Sequence, residues 1–305
     1  RRWVWHGVAL YGRIPAMSSE TIVVKVGGRT LSAAGVLEHL AEDIGSIRKA
    51  GRINVVLVHG GGAEVTRLGE RLGIRSEFAD GIRMTGDEEM DVVDMVLAGL
   101  VNKRVARSLQ AAGVRAVGIC GSDAGMLIGE AVERPDGTPS RTGRILRSDR
   151  ELLDCLLTQG CVAVVASTIM DTHGTGLNVN ADDVALELAK VVSARALVFL
   201  SDVPGVLRGT EVKGEEPHEN EENATIPEPG GPSGGTPGGI IGRMTPTEAE
   251  EAIARGIIRG GMIPKVRSSV GALHAGVGTV IIGAYTEETS LQHMLAGDGG
   301  TRIES

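Results

Sequence analysis

Short β-branched runs that stop in glycine constrain this chain more than any other feature. Thr21 to Val26 reads TIVVKV and runs into Gly27-Gly28, and Ile53 to Val58 runs into His59-Gly60-Gly61-Gly62. Helical stretches such as Val36 to Lys49 alternate with them, which sets an α/β rhythm. The runs are almost continuously apolar, a pattern that predicts strands buried on both faces and hence a mainly parallel central sheet covered by helices on each side. Further strands are expected at Val114 to Ile119, Val162 to Ala166, Ala196 to Leu200 and Val277 to Ile282. Helices are expected at Ala63 to Leu72, Asp87 to Ala111 and Asp149 to Gln159. In the second of these, Met90, Val93, Val96, Leu97, Leu100 and Val101 form a stripe wide enough for burial, in the core first and at a subunit interface second.

The chain has 305 residues, enough for one large α/β domain or two modest ones. Its net charge of -8 disfavours nucleic acid as a partner, so an anionic ligand has to meet locally placed cations. Cys120, Cys155 and Cys161 form no C-x-x-C pair and leave an odd thiol, which fits a reducing, cytoplasmic setting and small buried side chains. No apolar run reaches the roughly 18 residues of a membrane span. Two segments stand apart. Residues 1–16 carry no acid but hold both Trp residues and one of two Tyr; Met17 reads as the native start, and the leader as a translation artefact or disordered tail rather than a transit peptide. Gly209 to Gly239 joins an acidic cluster, Glu215 to Glu222, to a Gly- and Pro-rich run that builds no core. Its charge would repel phosphates, which favours a disordered surface insertion over a lid.

A strand that ends in glycine exposes backbone N–H groups to an anion. A tight turn explains either cluster taken singly about as well, and neither matches the P-loop or the dinucleotide fingerprint. The rest of the set is more specific: Gly81-Ile82-Arg83-Met84-Thr85, Leu177-Asn178-Val179-Asn180-Ala181-Asp182, Ser201-Asp202-Val203-Pro204-Gly205-Val206 and Gly260-Gly261-Met262-Ile263-Pro264-Lys265. In order and spacing these motifs resemble the amino-acid kinase superfamily, and within it the N-acetyl-L-glutamate kinases, from about residue 20 to residue 304. The blocks at Asn178 to Asp182 and Met244 to Lys265 carry the resemblance furthest.

The resemblance implies a three-layer amino-acid kinase fold over residues 17–305, with an acceptor-binding half at about 17–192 and an ATP-binding half at about 193–305. It implies ATP-dependent phosphorylation of the γ-carboxylate of N-acetyl-L-glutamate, the second step of arginine biosynthesis. In the family's pattern Lys25 and Lys265 flank the transferred phosphoryl group, Asp182 holds the two lysines and Gly28 faces the phosphoryl. Gly61, Gly62, Arg83 and Asn178 bind the acceptor. Asp202, Val203, Pro204, Gly205, Val206, Ile257, Ile258 and Arg259 surround the nucleotide. The C-terminal Leu295 to Ile303 resembles that of the short, arginine-insensitive members, which implies an unregulated homodimer.

The chemistry suits these residue types. A carboxylate nucleophile is already ionised at neutral pH, so no general base is required. The difficulty is to bring one anion to another and to stabilise charge on the equatorial oxygens, which calls for cations, N–H groups and a metal. No aspartate pair with metal-ligand spacing is present, so Mg2+ is expected to ride on the ATP phosphates and water. Four residues have competing readings. Asp182 could cap the helix that follows it, and Arg83 could form a surface salt bridge. His59 reads as structural, and Asp123 as an Asx turn. Two other functions stay open: a sister kinase acting on a carrier-linked aminoadipate or glutamate, and a non-catalytic amino-acid sensor. The acidic run Asp87-Glu88-Glu89 argues for a small free acceptor, and the presence of both lysines argues against the sensor.

Overall fold

The computed structural model describes residues 20–51, 53–79, 81–208, 239–260, 262–286 and 289–305. The leader and nearly all of the acidic insertion fall outside the described residues.

The chain opens with β1 (Thr21–Val26), α1 (Gly28–Ser32), α2 (Val36–Gly51), β2 (Asn54–His59) and α3 (Gly62–Arg71), followed by a small ribbon of β3 (Phe78–Ala79) and β4 (Ile82–Arg83). Next, α4 (Asp87–Asp94) runs through a π-helical stretch, Met95–Val101, into α5 (Asn102–Ala111). Then come β5 (Ala116–Cys120), β6 (Leu127–Ala131), β7 (Gly143–Ser148), α6 (Glu151–Thr158), β8 (Val162–Ala166), β9 (Thr168–Met170), β10 (Gly176–Asn178) and α7 (Ala181–Val191). The last third holds β11 (Ala196–Ser201), β12 (Arg243–Met244), α8 (Pro246–Ala254), α9 (Met262–His274), β13 (Val280–Ala284), α10 (Leu291–Ala296) and β14 (Thr301–Ile303).

Eight strands form one sheet in the order β12-β14-β13-β11-β1-β2-β8-β5. Its pairs are parallel except β13 with β14. Side chains of a strand alternate between faces, and here each face has its own core. Val23, Val56 and Phe199 pack against α6, α7, α8 and α9 on one side. Val24, Leu57 and Val198 pack against α2, α4, α5 and α10 on the other. This is the expected α/β three-layer sandwich, and because β1 lies between β2 and β11, one continuous sheet crosses both halves of the chain.

Three expectations need correction. The Asp87 to Ala111 helix is interrupted by π-helical turns, whose wider i→i+5 bonding shifts the phase of the apolar stripe. Val96, Leu97 and Val101 stay buried, whereas Leu100 turns outward and is 53% exposed. A second sheet, β10-β9-β6-β7, was not anticipated. Its longest member, β7, carries exposed Arg144 and Leu146 and shows no buried face that would betray a strand. Of the three cysteines only Cys161 is buried; Cys155 is exposed on α6 and Cys120 lies between. Among the described residues, no helix is long and apolar enough to cross a membrane.

Phe199 is among the largest side chains buried completely in the sheet, at 1% exposure. Truncation removes its ring from the core beneath α9, so Phe199→Ala should lower stability by about 3–5 kcal/mol. The shift of the urea unfolding midpoint at constant slope is the measurement.

Candidate active site

β1 and β2 are parallel and in register, with Val26 opposite His59, so their glycine clusters leave the sheet side by side. The two clusters touch: a Cβ on Gly28 would stand 3.1 Å from the Gly61 Cα, and one on Gly61 would stand 2.8 Å from Leu97 Cδ2. Only side-chain-free residues allow this approach, which brings the starts of α1 and α3 together at the carboxyl ends of the strands.

Three charged side chains converge on the same place. Asp182 lies in the first turn of α7, whose N-cap is Asn180: the Asn180 Oδ1 accepts the Asp182 N–H at 3.0 Å. Capping is therefore done two residues earlier, and the Asp182 carboxylate faces the lysines instead. Lys25 Nζ, from β1, stands 2.7 Å from Asp182 Oδ1, and Lys265 Nζ, from the first turns of α9, stands 3.3 Å from Oδ2. Lys265 also sits over the Phe199 ring, 5.2 Å from its centroid. Burial alone would raise the Asp182 pKa, but the ammonium groups of Lys25 and Lys265 outweigh it and hold the carboxyl below the ordinary range.

Two cavities open from this point. One, of about 300 Å³, is lined by Lys25, Gly28, Gly61, Gly62, Arg83 and Asn178, so the expected acceptor residues are brought together. The other, of about 310 Å³, is lined by Lys25, Gly28, Arg29, Gly62, Asp202 and Lys265. Lys25, Gly28 and Gly62 belong to both, so ligands in the two cavities would meet at Lys25.

Arg83 is not a surface residue: its side chain is 10% exposed and its guanidinium lies 4.8 Å from the Phe78 ring centroid. Its Nη1 donates to Glu89 Oε1 at 2.6 Å and to Ser76 Oγ, and its Nη2 donates to the Gly62 carbonyl at 2.9 Å and to Thr66 Oγ1 at 2.8 Å. The Asn178 amide donates to Thr85 Oγ1 at 2.9 Å. Ser76 and Thr66 escaped the sequence reading, since isolated polar residues carry no pattern that marks a shared partner; Glu89 was read there only as part of an acidic run, whereas its carboxylate is engaged by Arg83.

Burial lowers the His59 pKa to about 4, so the ring is neutral. Its Nδ1 donates to the Gly60 carbonyl at 3.0 Å and its Nε2 accepts from the Asn102 amide at 3.1 Å, a structural role as expected. Asp123 accepts the Cys120 N–H at 2.8 Å, a local contact three residues back along the chain rather than the forward contact of an Asx turn.

The expected nucleotide residues are less uniformly placed. Asp202 lines the second cavity and pairs with Arg29 at 2.8 Å. Val206 and Ile258, at 1% and 2% exposure, are core residues. The Val206 N–H donates to Thr301 Oγ1 at 2.7 Å, and Gly205 takes φ +150° where a Cβ would stand 2.8 Å from that same oxygen. Val203, Pro204, Ile257 and Arg259 line neither cavity. Among the described residues no group of three His, Cys, Asp or Glu side chains is arranged to hold a metal ion.

Residues 20–224 match the model of the amino acid kinase family. The chain belongs to that family. It is 35% identical over 271 residues to the acetylglutamate kinase of Carboxydothermus hydrogenoformans, covering 86% of this chain and 84% of that one. It is 33% identical over 296 residues to the acetylglutamate kinase of Agrobacterium fabrum, covering 93% and 91%. Among solved structures, N-acetylglutamate synthase from Neisseria gonorrhoeae, complexed with coenzyme A and N-acetyl-glutamate, shares the fold at a TM-score of 0.74 and 24% identity, over 94% of this chain and 59% of that one.

A carboxyl whose folded pKa lies below its unfolded value stabilises the fold fully above the unfolded value, about 3.9 for Asp, and loses that contribution as pH falls through the folded one. Asp182→Asn leaves two mostly buried ammonium groups without their counterion. Urea unfolding should therefore show a variant less stable than the wild type by a constant amount from pH 8 to about pH 5, with the difference shrinking only below about pH 4.

Proposed function

We infer that this chain transfers the γ-phosphoryl group of ATP to the γ-carboxylate of N-acetyl-L-glutamate, giving N-acetyl-L-glutamyl 5-phosphate and ADP, the second step of arginine biosynthesis. The observation that carries the reading is the pair of cavities that meet at Lys25, with Asp182 between Lys25 and Lys265. Relatives named acetylglutamate kinase at 33–35% identity supply the acceptor.

In this mechanism a carboxylate oxygen of the acceptor attacks the γ-phosphorus while the bond to the bridging oxygen of ADP breaks. No proton moves. Lys25 reaches the reacting centre from the acceptor side and Lys265 from the nucleotide side, and both stabilise charge on the equatorial oxygens. Asp182 holds them together at fixed separation. Gly28 offers its N–H to the phosphoryl group, and Gly61 and Gly62 offer theirs to the reacting end of the acceptor. Arg83 and Asn178 select the acceptor's α-carboxylate and amide. The nucleotide occupies the second cavity against Asp202; of the other expected nucleotide residues, Val206 and Ile258 lie in the core and Val203, Pro204, Gly205, Ile257 and Arg259 stand outside its lining. Mg2+ supplies charge neutralisation on the β- and γ-oxygens when bound. The donor set fits an ion carried by the nucleotide, because Asp182 is engaged by lysines and Asp202 by Arg29.

Residues 17–192 thus form the acceptor half and 193–305 the nucleotide half. The enzyme works in the cytoplasm as a homodimer, a pairing supported by Met95 and Leu100, apolar and more than half exposed on the π-helical stretch.

An ATP-dependent hydroxamate assay, in which hydroxylamine traps the acyl phosphate, tests the reaction. N-acetylglutamate should be turned over in preference to glutamate, aspartate and aminoadipate; preference for another acid would reassign the acceptor. Lys25→Ala and Lys265→Ala should each lower kcat by about 100-fold or more while the acceptor KM changes little, because both cations act on developing charge. A loss confined to KM would refute those roles.

A further inference from the structure

We propose that Glu89 is a positioning residue for acceptor recognition: it clamps one edge of the Arg83 guanidinium so that the other edge can exchange its neutral partners for the acceptor's α-carboxylate. The proposal rests on the reading of the first cavity as the acceptor site.

The starting observation is that Arg83 has no idle fork. Its four Nη hydrogens are matched by four acceptors: Glu89 and Ser76 on Nη1, the Gly62 carbonyl and Thr66 on Nη2. A carboxylate can engage this guanidinium bidentately only by replacing some of them, and the two edges differ in what replacement costs.

On the Nη1 edge the partner is ionic. Glu89 is buried, with its side chain 5% exposed, and belongs to the first turn of α4, where the helix end favours negative charge. Ser76 closes a three-membered ring, since its hydroxyl donates to Glu89 Oε1 at 2.7 Å and accepts from Arg83. A charge-assisted contact is roughly twice as strong as a neutral one. Breaking it would also leave Glu89 as an unpaired buried charge. On the Nη2 edge both partners are neutral, and of the four partners only Gly62 lines the cavity, whereas Thr66, Glu89 and Ser76 do not. The edge that faces the ligand is therefore the edge that lets go.

Glu89 has a second consequence. It supplies the counterion that lets an arginine remain buried at 10% exposure before any acceptor arrives. Arg83 then keeps one orientation in the empty site, and the acceptor does not have to order it on binding.

The test uses the full-length chain and varies acceptor and ATP separately. Glu89→Ala should raise the acceptor KM by about tenfold or more, while kcat and the ATP KM stay within about threefold of wild type. Glu89→Gln should raise it by less, because the amide oxygen still accepts from Nη1. Calorimetric binding of N-acetylglutamate alone should weaken in the same order. A general loss of packing would move both KM values and kcat together, and that outcome overturns the proposal. So does an acceptor KM within twofold of wild type in Glu89→Gln, the variant that decides the matter if Glu89→Ala does not fold. A wild-type chain that neither binds nor turns over N-acetylglutamate overturns the functional reading and this inference with it. An active wild type with unaltered variants overturns this inference alone.

Discussion

Two ammonium groups on separate elements can share one small site only if an anion lies between them. Here Asp182 fills that position, and the surrounding architecture depends on it. Lys25 comes from the central strand β1, Lys265 from the beginning of α9, and Asp182 from the beginning of α7, which packs on the same face of the sheet as α9. Removed from this arrangement, the lysines would repel each other and the phosphoryl position between them would lose its definition. The carboxylate is available because Asn180 has taken over the capping of α7. One helix end thus carries two tasks on neighbouring polar residues, a local hydrogen bond and a charge centre linking both halves of the chain.

The glycines solve a complementary problem, that of space. Phosphoryl transfer between two bound anions needs their reacting ends close together and shielded from water, with N–H groups at hand. A side chain on Gly28 would press on the Gly61 backbone, and one on Gly61 would collide with Leu97. The strand register places them there, since Val26 and His59 are opposite partners. His59, buried and neutral, anchors the second cluster to Asn102 without taking part in proton transfer. The two cavities share this junction, with Lys25, Gly28 and Gly62 lining both.

Much of this was legible in the sequence because burial on both faces leaves a strong mark. The runs at β1, β2, β8 and β11 are largely apolar on consecutive residues, and the glycine endings of β1 and β2 locate the ligand edge of the sheet. Lys25, Asp182 and Lys265 could be picked out as members of a motif set, where none would stand out alone. The four-stranded second sheet was illegible for the opposite reason: in β7 Arg144 and Arg147 flank Ile145 and Leu146, of which only Ile145 is partly buried, and β9 and β10 are three residues long. The π-helical turns in the α4–α5 helix were hidden as well, because an apolar stripe read at constant period cannot show where the period changes. Glu89, Ser76 and Thr66 share the partner Arg83, and Ser76 also donates to Glu89, relations that exist in space and leave no trace in spacing. Asp202 and Val206 carried the same sequence expectation yet separate in the fold, one to a cavity wall and one to the core.

The central claim is that the transferred group passes between Lys25 and Lys265 at the wall common to both cavities. A crystal structure with ADP, N-acetylglutamate and tetrafluoroaluminate as a mimic of the transferring phosphoryl group tests it most directly. The mimic should lie between the two Nζ atoms, within hydrogen-bond distance of both and of the Gly28 N–H, with the acceptor carboxylate on one side and ADP on the other. A mimic bound away from Lys25, or an acceptor seated outside the cavity lined by Arg83 and Asn178, would contradict the account.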